Sequence, residues 1–238
     1  MTGNQLKILA LLTMTIDHIG VVLLPQYPIL RIIGRLSYPI FAYMIAEGCF
    51  YTHNKKRYLG GIVLLGLACQ IVFFAAMGSL EQSILTTFAL GIIVVYALQL
   101  VDERRDALSV FALIGALALA ACACFGVPRL LTQTDYVVDY GFTGVLLPSI
   151  CYMPRILFKQ ASDAKRRWIT LAFCAVGLML VTLETSSGFQ MIQIWSLLAL
   201  IPLALYNGKR GTWRMKYLFY VYYPAHLVVI QGISMFLS

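Results

Sequence analysis

Long apolar runs, each close to the length of a membrane crossing, alternate along this chain with short polar breaks. A spanning α-helix needs about 20 mostly apolar residues. On that measure the pattern predicts nine helical segments: 6–24, 29–52, 58–78, 84–101, 107–126, 141–158, 168–186, 190–206 and 215–237. Neither an internal repeat nor a low-complexity linker interrupts the series. The expected fold is an all-α, polytopic transmembrane helical bundle of about nine spans, with residues 1–238 forming a single domain. The longest external connection, 127–140 (VPRLLTQTDYVVDY), has room for a short surface helix.

Composition points the same way. Of the 238 residues, 61% are hydrophobic and 12% charged, about half the charged share of a soluble domain. The net charge of +8 takes its meaning from where the cations fall. Fourteen of the 18 Lys and Arg lie on alternate loops, in the groups Lys55–Arg57, Arg104–Arg105, Arg155–Arg167 and Lys209–Lys216. The opposite loops hold Arg129, with Glu81, Asp135, Asp139 and Glu184. Cationic loops stay in the cytoplasm, which predicts a cytoplasmic N-terminus and an external C-terminus. The charge is then a topology signal, and no nucleic-acid partner is expected.

The apolar N-terminus carries Asp17 in its middle and has no small-residue cleavage site before Pro25, so it reads as a retained first span. The six cysteines fall in apolar segments without a CxxC, which reads as small buried packing residues. Walker A, GxGxxG, HExxH and GxSxG signatures are absent.

Chemistry is therefore sought among the ionisable residues inside the apolar segments, which by default face the bundle interior or a wet cavity. These are Asp17, His18, Arg31, Arg35, Glu47 and His226. At 1.5 Å per residue, His18 in an outward-running first span lies about 18 Å from the inner edge. Arg35, in the returning second span, lies about 21 Å from the same edge of a core about 30 Å thick. His226, in the outward-running last span, falls near the middle as well. Three helices thus bring ionisable groups to one layer. Asp17 and His18 diverge by about 100° on their helix, so Asp17 is expected to meet Arg35 or His226 on a neighbour. Glu47 lies about 18 Å below Arg35 and cannot pair with it on a straight helix, although Pro39 between them favours a kink. Arg31, Arg35 and Tyr38 share a face, with Arg31 near the headgroups. A structural reading competes with a functional one: Asp17 neutralises Arg35 and fixes the packing of two spans, and His226 donates to a carbonyl. Three scattered histidines have no metal-ligand spacing, and no metal is expected.

The segments LKILALLTMTIDHIG, LRIIGRLSYPIFAYMIAEG, HNKKRYL, YGFTGVLL, LYNGKRG and FYVYYPAHL, in that order over nearly the whole chain, resemble the TraX family of bacterial integral membrane proteins. That family is named for N-terminal acetylation of conjugative pilin and is similar to the multi-pass membrane acyltransferases. The resemblance implies a protein of the bacterial cytoplasmic membrane that takes an acyl group, acetyl in the pilin case, from cytoplasmic acyl-CoA. The group would pass to an amine or hydroxyl at or beyond the outer face. Asp17, His18, Arg35, Glu47 and His226 are the positions it points to. In that scheme His18 is the base, with His226 as an alternative, and Arg35 stabilises the oxyanion or holds an anionic group of the acceptor. Asp17 sets the imidazole tautomer or balances Arg35. Glu47, Arg31 and Tyr38 are substrate-binding candidates, and Lys209, Arg210, Lys55, Lys56 and Arg57 are candidates for the phosphates of CoA. Two other functions suit the same residues. A proton-coupled transporter would use them as a relay, and a membrane assembly factor for an exported or pilus protein would leave them structural.

Overall fold

The computed structural model describes residues 1–185, 189–212 and 216–237. A helix forms at each predicted segment. The order is α1 (Gly3–Val22), α2 (Pro28–Gly34), α3 (Ser37–Tyr51), α4 (Lys55–Met77), α5 (Ile84–Arg104) and α6 (Ala107–Ala121). A π-helical turn at Cys122–Gly126 then leads into α7 (Val127–Leu130), followed by α8 (Gly141–Leu157) and α9 (Asp163–Thr185). A 3₁₀ helix, Phe189–Ala199, runs into α10 (Leu200–Ala204), and α11 (Lys216–Leu237) closes the chain. Among the described residues, strand pairing amounts to one isolated parallel bridge, Gln82 to Val138.

Among the described residues, six stretches are long and apolar enough to cross a membrane: Gly3–Val22, Pro28–Tyr51, Lys55–Ala75, Ile84–Arg104, Ala107–Leu130 and Asp163–Thr185. Three further apolar helices, Gly141–Leu157, Ile192–Ala204 and Val221–Phe236, are shorter. The protein is an all-helical, multi-pass membrane protein. Within the second crossing the helix breaks at Arg35–Leu36. Pro39 has no N–H for the carbonyl four residues back, that of Arg35, and its ring crowds that carbonyl. The face expected to run from Arg31 through Tyr38 is therefore interrupted, and Tyr38 is fully buried.

The chain divides into two compact units, Met1–Met44 with Thr185–Ser238, and Ile45–Glu184. In the first unit, α1 packs against α2 and α11, and α2 against the 3₁₀ helix. The backbone N–H groups of Gly3 and Asn4, left without intrahelical partners at the start of α1, donate to the carbonyls of Lys209 and Arg210 at 2.8 and 2.9 Å. In the second unit, α5 is central and packs against α4, α6 and α8. The α5–α8 crossing is close because Gly91 has no side chain: a Cβ there would lie 2.8 Å from the Val145 carbonyl oxygen. Small residues at such crossings let membrane helices make dense contact. The Glu184 carboxylate, at the end of α9, accepts from the N–H groups of Phe142 and Thr143 at 2.9 and 2.7 Å and so closes the start of α8. The stretch after α7 is tied to the residues before α5 by Gln82 N–H to Val137 O at 2.8 Å and Leu80 N–H to Asp135 Oδ1 at 2.9 Å. Hydrogen bonds from Ser79 and Leu80 hold the Asp135 carboxyl below the usual carboxylate range.

The cysteines depart in part from expectation. Cys49, Cys69, Cys151 and Cys174 are buried, but Cys122 is exposed and Cys124 half-exposed. Both lie at the end of the Ala107–Leu130 crossing, little of which is buried inside the protein. Hydropathy cannot foresee this, because a lipid-facing position and a packed one are equally apolar.

Candidate functional site

Five of the predicted polar residues meet in the first unit, in two groups that start from adjacent positions on α1. In the first group, the Asp17 carboxylate lies between two guanidinium groups. Arg35 Nη2 donates to Oδ1 and Oδ2 at 2.9 and 2.8 Å, and Arg31 Nη1 donates to Oδ2 at 2.8 Å. The Asp17 and Arg35 side chains are each 13% exposed and that of Arg31 is 34% exposed. The expected Asp17–Arg35 pair is present. Arg31 joins it, because it sits one turn before Arg35 and its long stem reaches the same carboxylate. Arg35 Nη1 also donates to Gln193 Oε1 at 3.3 Å, which ties in the 3₁₀ helix.

Gly34 makes this arrangement possible. A Cβ on Gly34 would overlap Asp17 Cβ and Oδ1, so the carboxylate occupies the space that any other residue would fill. Gly34→Ala is expected to displace Asp17 and cost about 1–3 kcal/mol, the range for forcing an extra methyl into packed space. Thermal unfolding in nanodiscs checks this. A variant as stable as wild type would show that the carboxylate has another seat.

The second group is a histidine pair. His18 Nδ1 and His226 Nε2 are 2.8 Å apart, with the rings stacked at 5.0 Å between centroids. His226 Nδ1 lies 3.0 Å from the Tyr222 carbonyl oxygen. A carbonyl only accepts, so His226 carries its proton on Nδ1, and in the neutral ring Nε2 is then an acceptor. His18 must therefore donate from Nδ1, which leaves the lone pair on His18 Nε2. No described residue hydrogen-bonds that atom. The backbone thus fixes the tautomer of one imidazole, and through it that of the other. One turn below, Thr15 Oγ1 and the Tyr222 hydroxyl are 2.6 Å apart, and the Tyr222 ring stacks on His226 at 5.4 Å. Beside His226, between α1 and α11, is an open groove of about 400 Å³. Its polar edge is Thr15, Tyr222 and His226, and apolar residues of α1 and α11 complete it.

The remaining candidates lie elsewhere. In the second unit, Glu47 is ion-paired with Arg155, whose guanidinium stacks 4.0 Å from the Phe50 ring centre. Lys55, Lys56 and Arg57 open α4, with Lys55 3.5 Å from Glu103. Lys209 and Arg210 are exposed in the first unit, beside the start of α1. Arg214, counted among the cytoplasmic cations, lies outside the described residues.

Sequence reasoning missed Thr15, Tyr222, Gly34, Gln193 and the role of Arg155. Thr15 and Tyr222 precede His18 and His226 by three and four residues, so helical spacing would have placed them on the histidine faces. Gln193, uncharged in an apolar stretch, gave no comparable signal.

Comparison with known proteins matches this architecture to one family. The chain is 26% identical, over 98% of its own length and 96% of the relative's, to a probable fimbrial assembly protein FimC, serogroup H1, of Dichelobacter nodosus. It is 43% identical to an uncharacterized protein of Rickettsia prowazekii (strain Madrid E) over 29% of this chain and 25% of that protein. No solved structure matches. The TraX protein family is matched over residues 2–234, a stretch that takes in α1 with its Asp17–His18 step, the Arg31–Arg35 turn and the His226 helix, and the chain belongs to that family.

Proposed function

We propose that the chain is a nine-span acyltransferase of the bacterial cytoplasmic membrane, with its N-terminus in the cytoplasm, its C-terminus outside and acyl-CoA as donor. The contacts Thr15–Tyr222 and His18–His226 advance together along α1 and α11, so these two helices run parallel. Parallel first and last spans need an odd number of crossings, which favours nine over six. The 3₁₀ segment supports the same count. At about 2.0 Å per residue, followed by α10 at about 1.5 Å, Phe189–Ala204 covers roughly 30 Å, the thickness of the hydrocarbon core.

The observation that carries the chemical reading is the bare Nε2 of His18, held in one tautomer by His226. Acyl transfer needs a base for the acceptor and a positive partner for the developing oxyanion. His18 Nε2 takes the proton of the acceptor N–H or O–H as that atom attacks the thioester carbonyl. The tetrahedral oxyanion is stabilised by Arg35. The C–S bond then breaks, and the departing CoA thiolate takes the proton from His18. Lys209 and Arg210, exposed beside the start of α1, supply cations for the CoA phosphates. The acceptor is an amine or hydroxyl of a protein, glycan or lipid.

The second reading, a non-catalytic factor for fimbrial or pilus assembly, is favoured by the name of the Dichelobacter relative. The two separate on acyl-CoA consumption by purified protein in nanodiscs. The acyltransferase reading expects slow, saturable release of free CoA thiol without acceptor. Protein that neither binds nor consumes acyl-CoA would leave the assembly factor standing.

A further inference from the structure

Charge is divided unequally between the two compact units. The first, Met1–Met44 with Thr185–Ser238, contains one Asp or Glu, Asp17, against seven Lys and Arg, while the second contains nine against eleven. Five of those seven cations are Lys7 and the four between 209 and 216. In the orientation proposed above they belong to the cytoplasmic half, where cations are ordinary. Arg31 and Arg35 belong to the outer half, where they are not. Asp17, which both contact, is five residues before the end of α1, about 8 Å of helix. Arg35, bonded to both oxygens of the carboxylate, is enough to neutralise it. Arg31 adds a second cation in a mostly buried place, and with the histidine pair neutral the trio keeps a net positive charge. Such a charge is costly unless an anion offsets it.

Of the three side chains, Arg31 is the one open to its surroundings, 34% exposed against 13% for each of the others. It stands in the first turn of α2, just after the exposed loop residues Gln26 and Tyr27. A guanidinium is a planar fork whose geometry matches a phosphate or a carboxylate. We propose that the Asp17–Arg31–Arg35 trio seats an anionic group of the acceptor, a phosphate or carboxylate, held by Arg31 and reached from the outer face. In the acyltransferase reading, on which this rests, His18 follows Asp17 directly, so an anion held by Arg31 brings the rest of the acceptor to the base. The two arginines then divide the work: Arg31 binds the acceptor, and Arg35 faces the oxyanion. A soluble acceptor and a lipid headgroup both offer the anionic group.

The test pairs binding with turnover. Arg31→Gln leaves the neutral Asp17–Arg35 pair and so should fold, and Arg31→Lys keeps the charge but loses the fork. In phosphatidylcholine nanodiscs, saturating phosphoethanolamine should raise the unfolding midpoint of wild type by about 5 °C. Arg31→Gln should lose most of that shift and Arg31→Lys part of it. For turnover, acetyl-CoA is given with phosphoethanolamine or ethanolamine, and with glycerol 3-phosphate or glycerol. The phosphorylated member of each pair should be preferred about tenfold or more in kcat/KM, carried by KM, and Arg31→Gln should bring that ratio close to one. Phosphatidylglycerol in the discs separates the sources: a shift that vanishes there puts a lipid headgroup in the seat, and one that survives puts a soluble acceptor there. An Arg31-dependent shift without any CoA release keeps the seat and removes the acyltransferase. CoA release without preference or Arg31-dependent shift keeps the acyltransferase and removes the seat. A shift with equal use of both members of each pair makes the anion a bystander and overturns its role in the acceptor. Neither shift nor release removes both readings.

Discussion

His18→Ala is expected to lower acyl-CoA thiol release by about 10²- to 10⁴-fold, the range for loss of a positioned general base. His226→Ala should lose less, about tenfold, because it removes no base. It removes the acceptor that makes His18 carry its proton on Nδ1, so a fraction of His18 rings present the wrong nitrogen. The two losses should not add. With His18 gone, His226 has nothing to orient, and the double variant should be no slower than His18→Ala alone. Groups acting as one unit behave this way in a double-mutant cycle. Initial rates for the four proteins decide it. Additive losses would mean that the histidines act separately, and undiminished release by His18→Ala would place the base elsewhere.

The second large effect is on stability. Asp17→Ala leaves Arg31 and Arg35 facing each other around an empty seat in a mostly buried place. Removing one partner of a buried ion pair costs about 3–5 kcal/mol, chiefly because the remaining charge is stranded. The midpoint of thermal unfolding in nanodiscs should fall accordingly. Replacing Asp17, Arg31 and Arg35 together by Leu should recover most of that loss, since well-packed apolar groups match or exceed buried ion pairs in stability. The recovered protein then separates two roles. If it is folded but inactive, Arg35 serves the chemistry; if it is folded and active, the three charges only lock α1 to α2. An Asp17→Ala protein as stable as wild type would show that the guanidinium groups are not stranded.

The sequence foretold much of this. Apolar run length located a helix at each of nine segments, and depth arithmetic singled out His18, Arg35 and His226, of which His18 meets His226 and Arg35 meets Asp17. It could not set how each helix is turned about its axis. In a membrane that rotation comes from packing, and lipid-facing and core-facing positions look alike. Arg155 was therefore read as one more cytoplasmic cation, although it is the partner of Glu47. Gly34 stood in the RIIGR segment without a reason until Asp17 was seen to occupy the place of its missing side chain. The extended winding of Phe189–Ala199 had no sequence signal, because the residues that compose it would suit an α-helix equally.

That winding has a mechanical consequence. A 3₁₀ helix rises about 2.0 Å per residue against 1.5 Å for an α-helix, so these 11 residues reach about 5 Å further than they would as an α-helix. The Gln193 amide oxygen that accepts from Arg35 is carried on this segment, so its place along the axis is set by the winding. Wound as an α-helix, the same residues would set Gln193 at another height and another angle about the axis, out of register with the guanidinium. In this protein the length of one backbone segment and the grip on one arginine are a single mechanical variable.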